Sequence, residues 1–199
     1  MNFHCIDRIN KAHLKFNNAL TPAFPIDLDI VVLGMGCFWG AERKFWTLSG
    51  VYTTAVGYTG GTTVYPTYQQ VCTGTSGHAE VVLVVFDNRK VALEKVLKTF
   101  WESHNPTQGM RQGNDSGEQY RSVILTTSQE QHEVTKTSLE KYQRLLCEEG
   151  INKPITTQVG TVTDFYYAEQ YHQQYLIENP NGYCGLSGTG VGYDYCTSQ

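Results

Sequence analysis

The 199-residue sequence lacks the features that define several large protein classes. No apolar run approaches the roughly 20 residues needed to cross a bilayer, and the first twenty residues lack the continuous apolar stretch of a secretory signal. The net charge of −4 leaves no excess of basic residues to neutralise a phosphate backbone. The sequence therefore predicts a protein that neither enters a membrane nor binds nucleic acid. We also expect a monomer, although these observations do not bear on the oligomeric state.

Cysteine is also scarce, with six residues scattered at positions 5, 37, 72, 147, 184 and 196. They form no C-x-x-C pair and no metal-ligand spacing with the histidines, so we expect no metal and no bound cofactor. Their number is too low for the disulfide framework of a small secreted domain. We expect a cytoplasmic protein. A mitochondrial location is the alternative, because the opening segment has Arg8, Lys11 and Lys15 against one acid.

Hydrophobic periodicity predicts one α+β domain over residues 29–199, preceded by an N-terminal extension over 1–28 that lies on the surface without adding to the core. Strands are expected over 29–34, 51–58, 78–87, 120–126 and 155–160. Helices are expected after Cys37, over 91–103, from the Ser128 cap to Gly150 and near 168–178. This mixed order favours a two-layer α+β sandwich. Glycines at five positions between 182 and 192 predict an irregular C-terminal coil over 179–199.

Cys37 lies in GCFWG, where the first predicted strand of the domain meets a helix. Backbone N–H groups and the helix dipole at such a turn stabilise a thiolate. The position alone leaves open whether Cys37 is reactive or a buried structural cysteine. The flanking glycines, and Phe38 and Trp39 as walls of an apolar pocket, favour a reactive thiol.

Glu80 is a candidate proton donor because it begins the most apolar predicted strand, where partial burial would raise its pKa. Tyr68 and Tyr120 are candidate hydroxyl donors. From the residues alone, a solvated strand-end carboxylate is the more common role for a residue such as Glu80, and Tyr68 and Tyr120 have the character of ordinary semi-buried tyrosines. Asp115, between Gly113 and Gly117, has the position of a turn residue that bonds its own backbone.

The sequence resembles the methionine sulfoxide reductase A family over roughly Asp29 to Cys196. Seven blocks carry the resemblance in the family's order: GCFWG at 36–40, AVGYTGG at 55–61, PTY at 66–68, GHAE at 77–80, HNPTQGMRQGND at 104–115, QYRS at 119–122 and NPNGYCG at 179–185. The resemblance implies a ferredoxin-like α+β core with a long glycine-rich C-terminal segment that wraps back over the site.

The resemblance also implies a role for each matching residue. Cys37 matches the nucleophile, Glu80 the proton donor, and Tyr68 and Tyr120 the hydroxyls that bind the sulfoxide oxygen. The remaining matches are Phe38 and Trp39 as walls for the substrate methyl group, Asp115 as a polar site residue, and Cys184 as the first recycling cysteine.

Cys196 is a departure from the pattern, because it follows Cys184 by 12 residues and the family's last redox cysteine lies closer. A second departure is Asn105, where many members carry Asp before the proline. Cys72 matches no redox role.

The implied reaction is reduction of the S epimer of methionine sulfoxide, free or in proteins, through a Cys37 sulfenic acid and a disulfide that thioredoxin or a similar dithiol reduces. Such an enzyme repairs proteins after oxidative stress. Two other interpretations remain. The first is a thiol peroxidase, but an aromatic pocket for a methyl group argues against it. The second is a non-catalytic protein that binds methionine, which would need neither Glu80 nor Cys184.

Overall fold

The computed structural model describes residues 1–5, 9 and 12–193 and has a mixed α+β fold. Nine strands are assigned in the described residues: β1 Asn2–Cys5, β2 Asp29–Met35, β3 Val51–Thr59, β4 Ala79–Phe86, β5 Arg111–Gln112, β6 Asp115–Ser116, β7 Ser122–Thr126, β8 Gln158–Thr161 and β9 Asp164–Tyr167. The helices are α1 Phe38–Phe45, α2 Tyr68–Cys72, α3 Leu93–Ser103, α4 Gln129–Glu148 and α5 Tyr175–Glu178, with 3-10 turns at Glu118–Tyr120 and Gln170–His172.

Seven strands form one sheet in the order β1-β9-β3-β4-β2-β7-β8, and β5 and β6 form a separate hairpin. The four central strands, β3, β4, β2 and β7, pair antiparallel. The outer pairs β1–β9 and β7–β8 are parallel. Every residue of β4 is buried, which explains its continuous apolar sequence, since both faces of this strand are covered.

Alternate residues of β4 belong to two separate cores. Val82 and Val84 lie on the face covered by α1, α3 and α4, together with Phe100 and Trp101. Val81, Leu83 and Val85 lie on the opposite face, where Leu20, Phe165 and Tyr167 complete the second core. This division follows from the two-residue period of a strand, whose successive side chains point to opposite faces.

The N-terminal segment contributes to the second core, so the expectation of a surface extension without core residues is wrong. Leu20 is 1% exposed, and its carbonyl accepts a 2.9 Å hydrogen bond from Tyr167 Oη. β1 adds a parallel edge strand to β9. The sequence did not predict this packing because the segment has no regular apolar face. Only a few of its side chains are buried, and prolines and turns separate them.

A buried carboxyl group joins the N-terminal half of the chain to its C-terminal part. Glu42 of α1 accepts hydrogen bonds from Thr54 Oγ1 at 2.9 Å, Gln174 Nε2 at 2.9 Å and Gln174 N at 2.9 Å. Thr54 in turn is bonded to the buried His13 at 2.9 Å. Burial raises the pKa of Glu42 to about 7. The start of α5 is therefore fixed against the helix that follows Cys37.

Beyond α5 the described chain forms no helix or strand as far as residue 193. This coil crosses α3 and α4: Tyr193 N donates to Glu102 Oε1 at 2.7 Å, and the hydroxyls of Tyr142 and Thr189 lie 2.9 Å apart. Within the described ranges, no helix combines the length and apolar character needed to cross a bilayer.

Candidate active site

Cys37 is the residue immediately before α1, where β2 passes into the helix. The turn requires Gly36, whose φ of 101° is unfavourable for residues with a side chain. A methyl group at Gly36 would also lie 2.7 Å from the Gln112 side chain. Cys37 is 9% exposed and unpaired. Its thiol is therefore held just beneath the surface at the start of a helix.

The ionisation of Cys37 differs from the expectation drawn from the helix N-terminus. Burial, and next the charge of Glu80, raise the pKa of the Cys37 thiol well above its ordinary value. The backbone N–H groups of Trp39 and Gly40 act in the opposite direction but do not outweigh burial. In the resting protein burial thus opposes the stabilised thiolate that the sequence predicts, because it removes water from around the thiol.

Glu80 lies at the start of β4 and is buried, 2% exposed. Its Oε2 accepts a 3.0 Å hydrogen bond from the backbone N–H of Phe38, the residue after Cys37. Burial raises the pKa of Glu80 to about 8, and the Phe38 N–H opposes this shift. At neutral pH the carboxyl group is mainly protonated, so it can donate a proton beside the Cys37 thiol.

Tyr68 and Tyr120 are both partly buried and lie near this pair. Burial raises the pKa of Tyr120, with further increases from the charges of Glu80 and Asp115 and from Cys37. Burial also raises the pKa of Tyr68, whose hydroxyl is hydrogen-bonded to the Cys72 thiol. Both phenols stay protonated at neutral pH and are available as hydrogen-bond donors.

Trp39 is partly buried and stacks on Tyr175 of α5, with ring centroids 3.9 Å apart. Its Nε1 donates a 3.1 Å hydrogen bond to His172 Nδ1. Phe38 lies deeper, 1% exposed, and its ring contacts Tyr58 and His172. The two predicted wall residues thus differ: Trp39 is partly accessible, whereas Phe38 is part of the core beneath it.

Glu169 and His172 contribute to the site although the sequence analysis did not single them out. Glu169 accepts hydrogen bonds from the Tyr68 backbone N–H at 2.8 Å and from Tyr58 Oη at 2.8 Å. His172 holds the Trp39 indole, and burial lowers the pKa of His172 to about 4. The sequence around Ala168 is rich in polar and aromatic residues. Its pattern predicted a helix near 168–178, so these residues were not recognised as part of the site.

Asp115 and Cys184 link the C-terminal coil to the site. Asp115 Oδ1 accepts a 3.1 Å hydrogen bond from the hydroxyl of Tyr183, the residue before Cys184. A methyl group at Gly40 would lie 2.8 Å from the Cys184 sulfur, so this sulfur packs against the first turn of α1. The second thiol therefore lies near the helix that begins after Cys37.

Two other sequence predictions bear on the site. Cys196 lies outside the described residues. Within residues 1–5, 9 and 12–193, no three His, Cys, Asp or Glu side chains are grouped so as to hold a metal ion.

The site combines three features: a buried thiol at a helix N-terminus, a protonated carboxyl group beside it and a second thiol near the same helix. This combination is typical of thiol-dependent oxidoreductases. Comparison with known proteins identifies the family. The model of the peptide methionine sulfoxide reductase family matches residues 29–191. The chain therefore belongs to the peptide methionine sulfoxide reductase family.

Individual relatives agree with this assignment. Peptide methionine sulfoxide reductase MsrA of Rippkaea orientalis is 58% identical over 180 residues, covering 90% of this chain and 82% of the relative. The structure of methionine sulfoxide reductase A of Corynebacterium diphtheriae is 38% identical, with a TM-score of 0.82 over 93% of this chain and 90% of that one. The structure of Mxr1 from Saccharomyces cerevisiae in complex with Trx2 shares the fold at 20% identity and a TM-score of 0.55, covering 87% and 94% of the two chains.

Proposed function

We propose that this protein reduces the S epimer of methionine sulfoxide, free or in proteins, to methionine, with Cys37 as nucleophile and thioredoxin as the final reductant. The observation that carries the proposal is the Cys37 thiol beside the protonated Glu80, joined through the Phe38 N–H bond of 3.0 Å. Breaking a sulfur–oxygen bond needs a nucleophile for sulfur and a proton for oxygen. This pair supplies both.

In the first step, the Cys37 sulfur bonds to the sulfoxide sulfur while the oxygen leaves as water. The oxygen takes up two protons, one from Glu80 and one that the Cys37 thiol gives up. The Tyr68 and Tyr120 hydroxyls donate hydrogen bonds to the oxygen as its charge develops. Because the resting pKa of Cys37 is raised, the thiol keeps its proton until this step and can give it to the departing oxygen.

In the second step, water attacks the Cys37 sulfur, which releases methionine, leaves Cys37 sulfenic acid and returns one proton to the site. The net reaction oxidises Cys37 from thiol to sulfenic acid and reduces the sulfoxide to the thioether. No cofactor is required, because the thiol itself supplies both electrons.

The substrate methyl group lies, in this proposal, against Trp39, with Phe38 forming the apolar layer beneath. Two contacts fix the indole plane: the stacking on Tyr175 at 3.9 Å and the hydrogen bond to His172 at 3.1 Å. The pocket then has an apolar side for the methyl group and hydroxyl donors on the other side for the oxygen. The two epimers differ in the positions of the methyl group and the oxygen, so only one of them matches both sides. Asp115 keeps the C-terminal coil close to this pocket through Tyr183.

Recycling begins when the Cys184 thiol condenses with the Cys37 sulfenic acid, forming a disulfide and water. The contact of the Cys184 sulfur with Gly40 supports this role, because Gly40 is in the first turn of α1. Thioredoxin or a similar dithiol then reduces the disulfide directly or after exchange with Cys196. The five described cysteines are unpaired, which suits a reducing compartment, the cytoplasm or the mitochondrial matrix.

The proposed fold is the ferredoxin-like two-layer core. Its support is the chain order β2-α1-β3-β4-α3-β7 together with the antiparallel sheet order β3-β4-β2-β7. The glycine-rich coil then follows as an addition that carries Cys184.

One assay tests the function. The purified protein is incubated with dithiothreitol and the separated S and R epimers of a methionine sulfoxide amide, and in parallel with hydrogen peroxide. We expect turnover of the S epimer alone. Equal turnover of both epimers would contradict the proposed pocket, and faster consumption of peroxide than of sulfoxide would identify a peroxidase.

A further inference from the structure

A wide cleft lies next to the candidate active site and takes no part in the reaction described above. Its two walls are the loop around Asn105–Gly113 and the turn that follows α4 at Gly150–Lys153, and it encloses about 850 Å³. None of the residues that line it is acidic. The cleft therefore differs in charge from the chain as a whole, which has a net charge of −4.

The first wall is held in place by hydrogen bonds to the segment before β8. The Pro106 carbonyl accepts from Thr156 N at 2.8 Å and from Thr156 Oγ1 at 2.9 Å. Gly109 N donates to Thr156 Oγ1 at 3.0 Å. A loop fixed at two points in this way can present its side chains without a large ordering cost.

The side-chain amides of this wall offer hydrogen-bond donors rather than acceptors. Asn105 Oδ1 already accepts from Thr107 N at 3.0 Å and from Thr107 Oγ1 at 2.7 Å. Gln108 Oε1 accepts from Gly113 N at 2.7 Å. Because both amide oxygens are in use, the groups left to a ligand are the N–H donors of the same amides.

Two cations complete this donor set. Arg111 and Lys153 line opposite walls, and both are exposed. The Arg111 Nε donates to the Gly113 carbonyl at 2.7 Å, which leaves the outer guanidinium nitrogens for a ligand. Among the described residues, neither cation has a carboxylate within ion-pair distance. Hydrogen-bond donors and unpaired cations together favour an anionic ligand. A carboxylate is planar and can accept two parallel hydrogen bonds from the Arg111 guanidinium group.

The cleft also lies close to the Cys37 thiol. Gln112 follows Arg111 in the chain, and its side chain packs against Gly36, the residue before Cys37. A methyl group at Gly113 would lie 2.9 Å from the Gly185 carbonyl, beside Cys184. These contacts place the cleft beside the turn that holds Cys37, and an extended peptide advances about 3.3–3.6 Å per residue, so residues that flank a bound methionine sulfoxide can approach the cleft.

We propose that this cleft binds the side-chain carboxylate of an aspartate or glutamate located a few residues from the methionine sulfoxide in a protein substrate. Arg111 and Lys153 provide the charge, and the Asn105 and Gln108 amides provide further donors. The inference rests on the proposed function, because it assigns a sequence preference to substrates of the same site. It predicts that oxidised methionines in acidic surroundings are reduced faster than those in neutral surroundings.

The test uses pairs of synthetic peptides that contain S-methionine sulfoxide. The two peptides of a pair differ at one position, which is Glu in one and its neutral isostere Gln in the other, and the pairs cover four positions on either side of the sulfoxide. We expect kcat/KM for the best Glu peptide to exceed that of its Gln partner by about 1.5- to fivefold, the range of solvent-exposed ion pairs. The excess should disappear in 0.5 M salt, since exposed charges are screened there.

Variants assign the effect to the cleft. In Lys153→Gln and in Arg111→Gln the Glu-to-Gln ratio should fall, and in the double variant it should reach about one. Lys95→Gln, which removes an exposed lysine outside the cleft, should leave the ratio unchanged. Arg111→Lys keeps the charge and should keep most of the ratio, which separates loss of charge from damage to the loop.

Two results would overturn the proposal: a Glu-to-Gln ratio near one in the wild-type protein, or a ratio that persists in the double variant. A rise in the KM for thioredoxin in the double variant with an unchanged peptide ratio would assign the cleft to the reductant instead. Failure of the proposed function is distinguishable, because the wild-type protein would then not reduce even the small methionine sulfoxide amide.

Discussion

The backbone N–H of Phe38 donates a 3.0 Å hydrogen bond to the carboxyl group of Glu80. The two residues are 42 positions apart, and the bond joins the first residue of α1 to the beginning of β4. Because Phe38 follows Cys37 directly, this bond also fixes the separation between thiol and carboxyl. The proposed proton donor is thus bonded through its own side chain to the backbone of the residue that follows the proposed nucleophile.

Replacing Glu80 with Gln keeps the side-chain shape but removes the acidic proton. We expect kcat/KM for the S epimer to fall by roughly 10²–10⁴-fold, the usual contribution of a positioned acid. The control is Glu140→Gln on the exposed side of α4. A loss under tenfold would show that Glu80 is not the donor and would direct attention to Tyr68 or Tyr120.

The pH profile gives a second readout for the same carboxyl group. Burial raises the pKa of Glu80 to about 8, so the carboxyl is protonated below that pH and loses its proton as the pH rises through it. The wild-type rate should decline above about pH 8, and Glu80→Gln should lack this decline. A decline that persists in the variant would belong to another group.

Replacing Cys37 with Ser removes the nucleophile while changing the side-chain volume little. Reduction of the sulfoxide should stop with every reductant, because a hydroxyl of very high pKa cannot take the place of a thiol in attack on sulfur. The thermal midpoint should stay close to that of the wild type. Cys147→Ser, at an exposed cysteine, is the control for loss of a thiol. Retained turnover in Cys37→Ser would end the proposed mechanism.

Local patterns were sufficient to predict several elements. The sequence predicts a helix cap at Ser128, and the Ser128 side chain accepts a 3.2 Å hydrogen bond from Gln131 N at the start of α4. The strand predicted over 78–87 is β4. In each case the signal lies within a few consecutive residues, as a cap or an apolar run does.

Non-local pairings were not predictable in the same way. β1 and β9 are short strands that pair although Asn2 and Asp164 are 162 positions apart, and a four-residue strand carries almost no periodicity. At the site, the family motifs pointed to Cys37 and Glu80. The only local signal for Glu169 was the polar and aromatic composition around Ala168, and its hydrogen bond with the backbone N–H of Tyr68 joins positions 101 apart in the chain.

The N-terminal segment can be tested through its buried anchor. Leu20→Ala should lower the free energy of unfolding by about 2–5 kcal/mol, because Leu20 is 1% exposed and lies in the second core. Leu14→Ala is the matched control, since Leu14 is 44% exposed, and it should cost less than about 0.5 kcal/mol. Denaturant unfolding measures both. Equal losses for the two variants would show that the segment does not pack as described.

Replacing Cys184 with Ser tests the first recycling step. The variant should form one equivalent of methionine per enzyme without reductant, because the attack of Cys37 on sulfur does not involve Cys184. Thioredoxin-driven turnover should then stop, and Cys37 sulfenic acid should be trapped by a cyclic 1,3-diketone and detected by mass spectrometry. Full thioredoxin turnover in Cys184→Ser would assign the recycling role to another thiol.

Replacing Cys196 with Ser tests whether a second exchange delivers the disulfide to thioredoxin. Thiol–disulfide exchange needs access to the sulfur under attack, and Cys37 is only 9% exposed. A Cys37–Cys184 bridge should therefore react slowly with a protein reductant and faster with a small one. If Cys196 exchanges with Cys184, Cys196→Ser should accumulate the Cys37–Cys184 bridge and should turn over slowly with thioredoxin but well with dithiothreitol. Peptide mapping of the wild-type protein after one turnover without reductant should then find a Cys184–Cys196 disulfide. Unchanged thioredoxin kinetics in Cys196→Ser, with no Cys184–Cys196 peptide in the wild type, would instead establish a two-cysteine enzyme in which thioredoxin attacks the Cys37–Cys184 bridge directly.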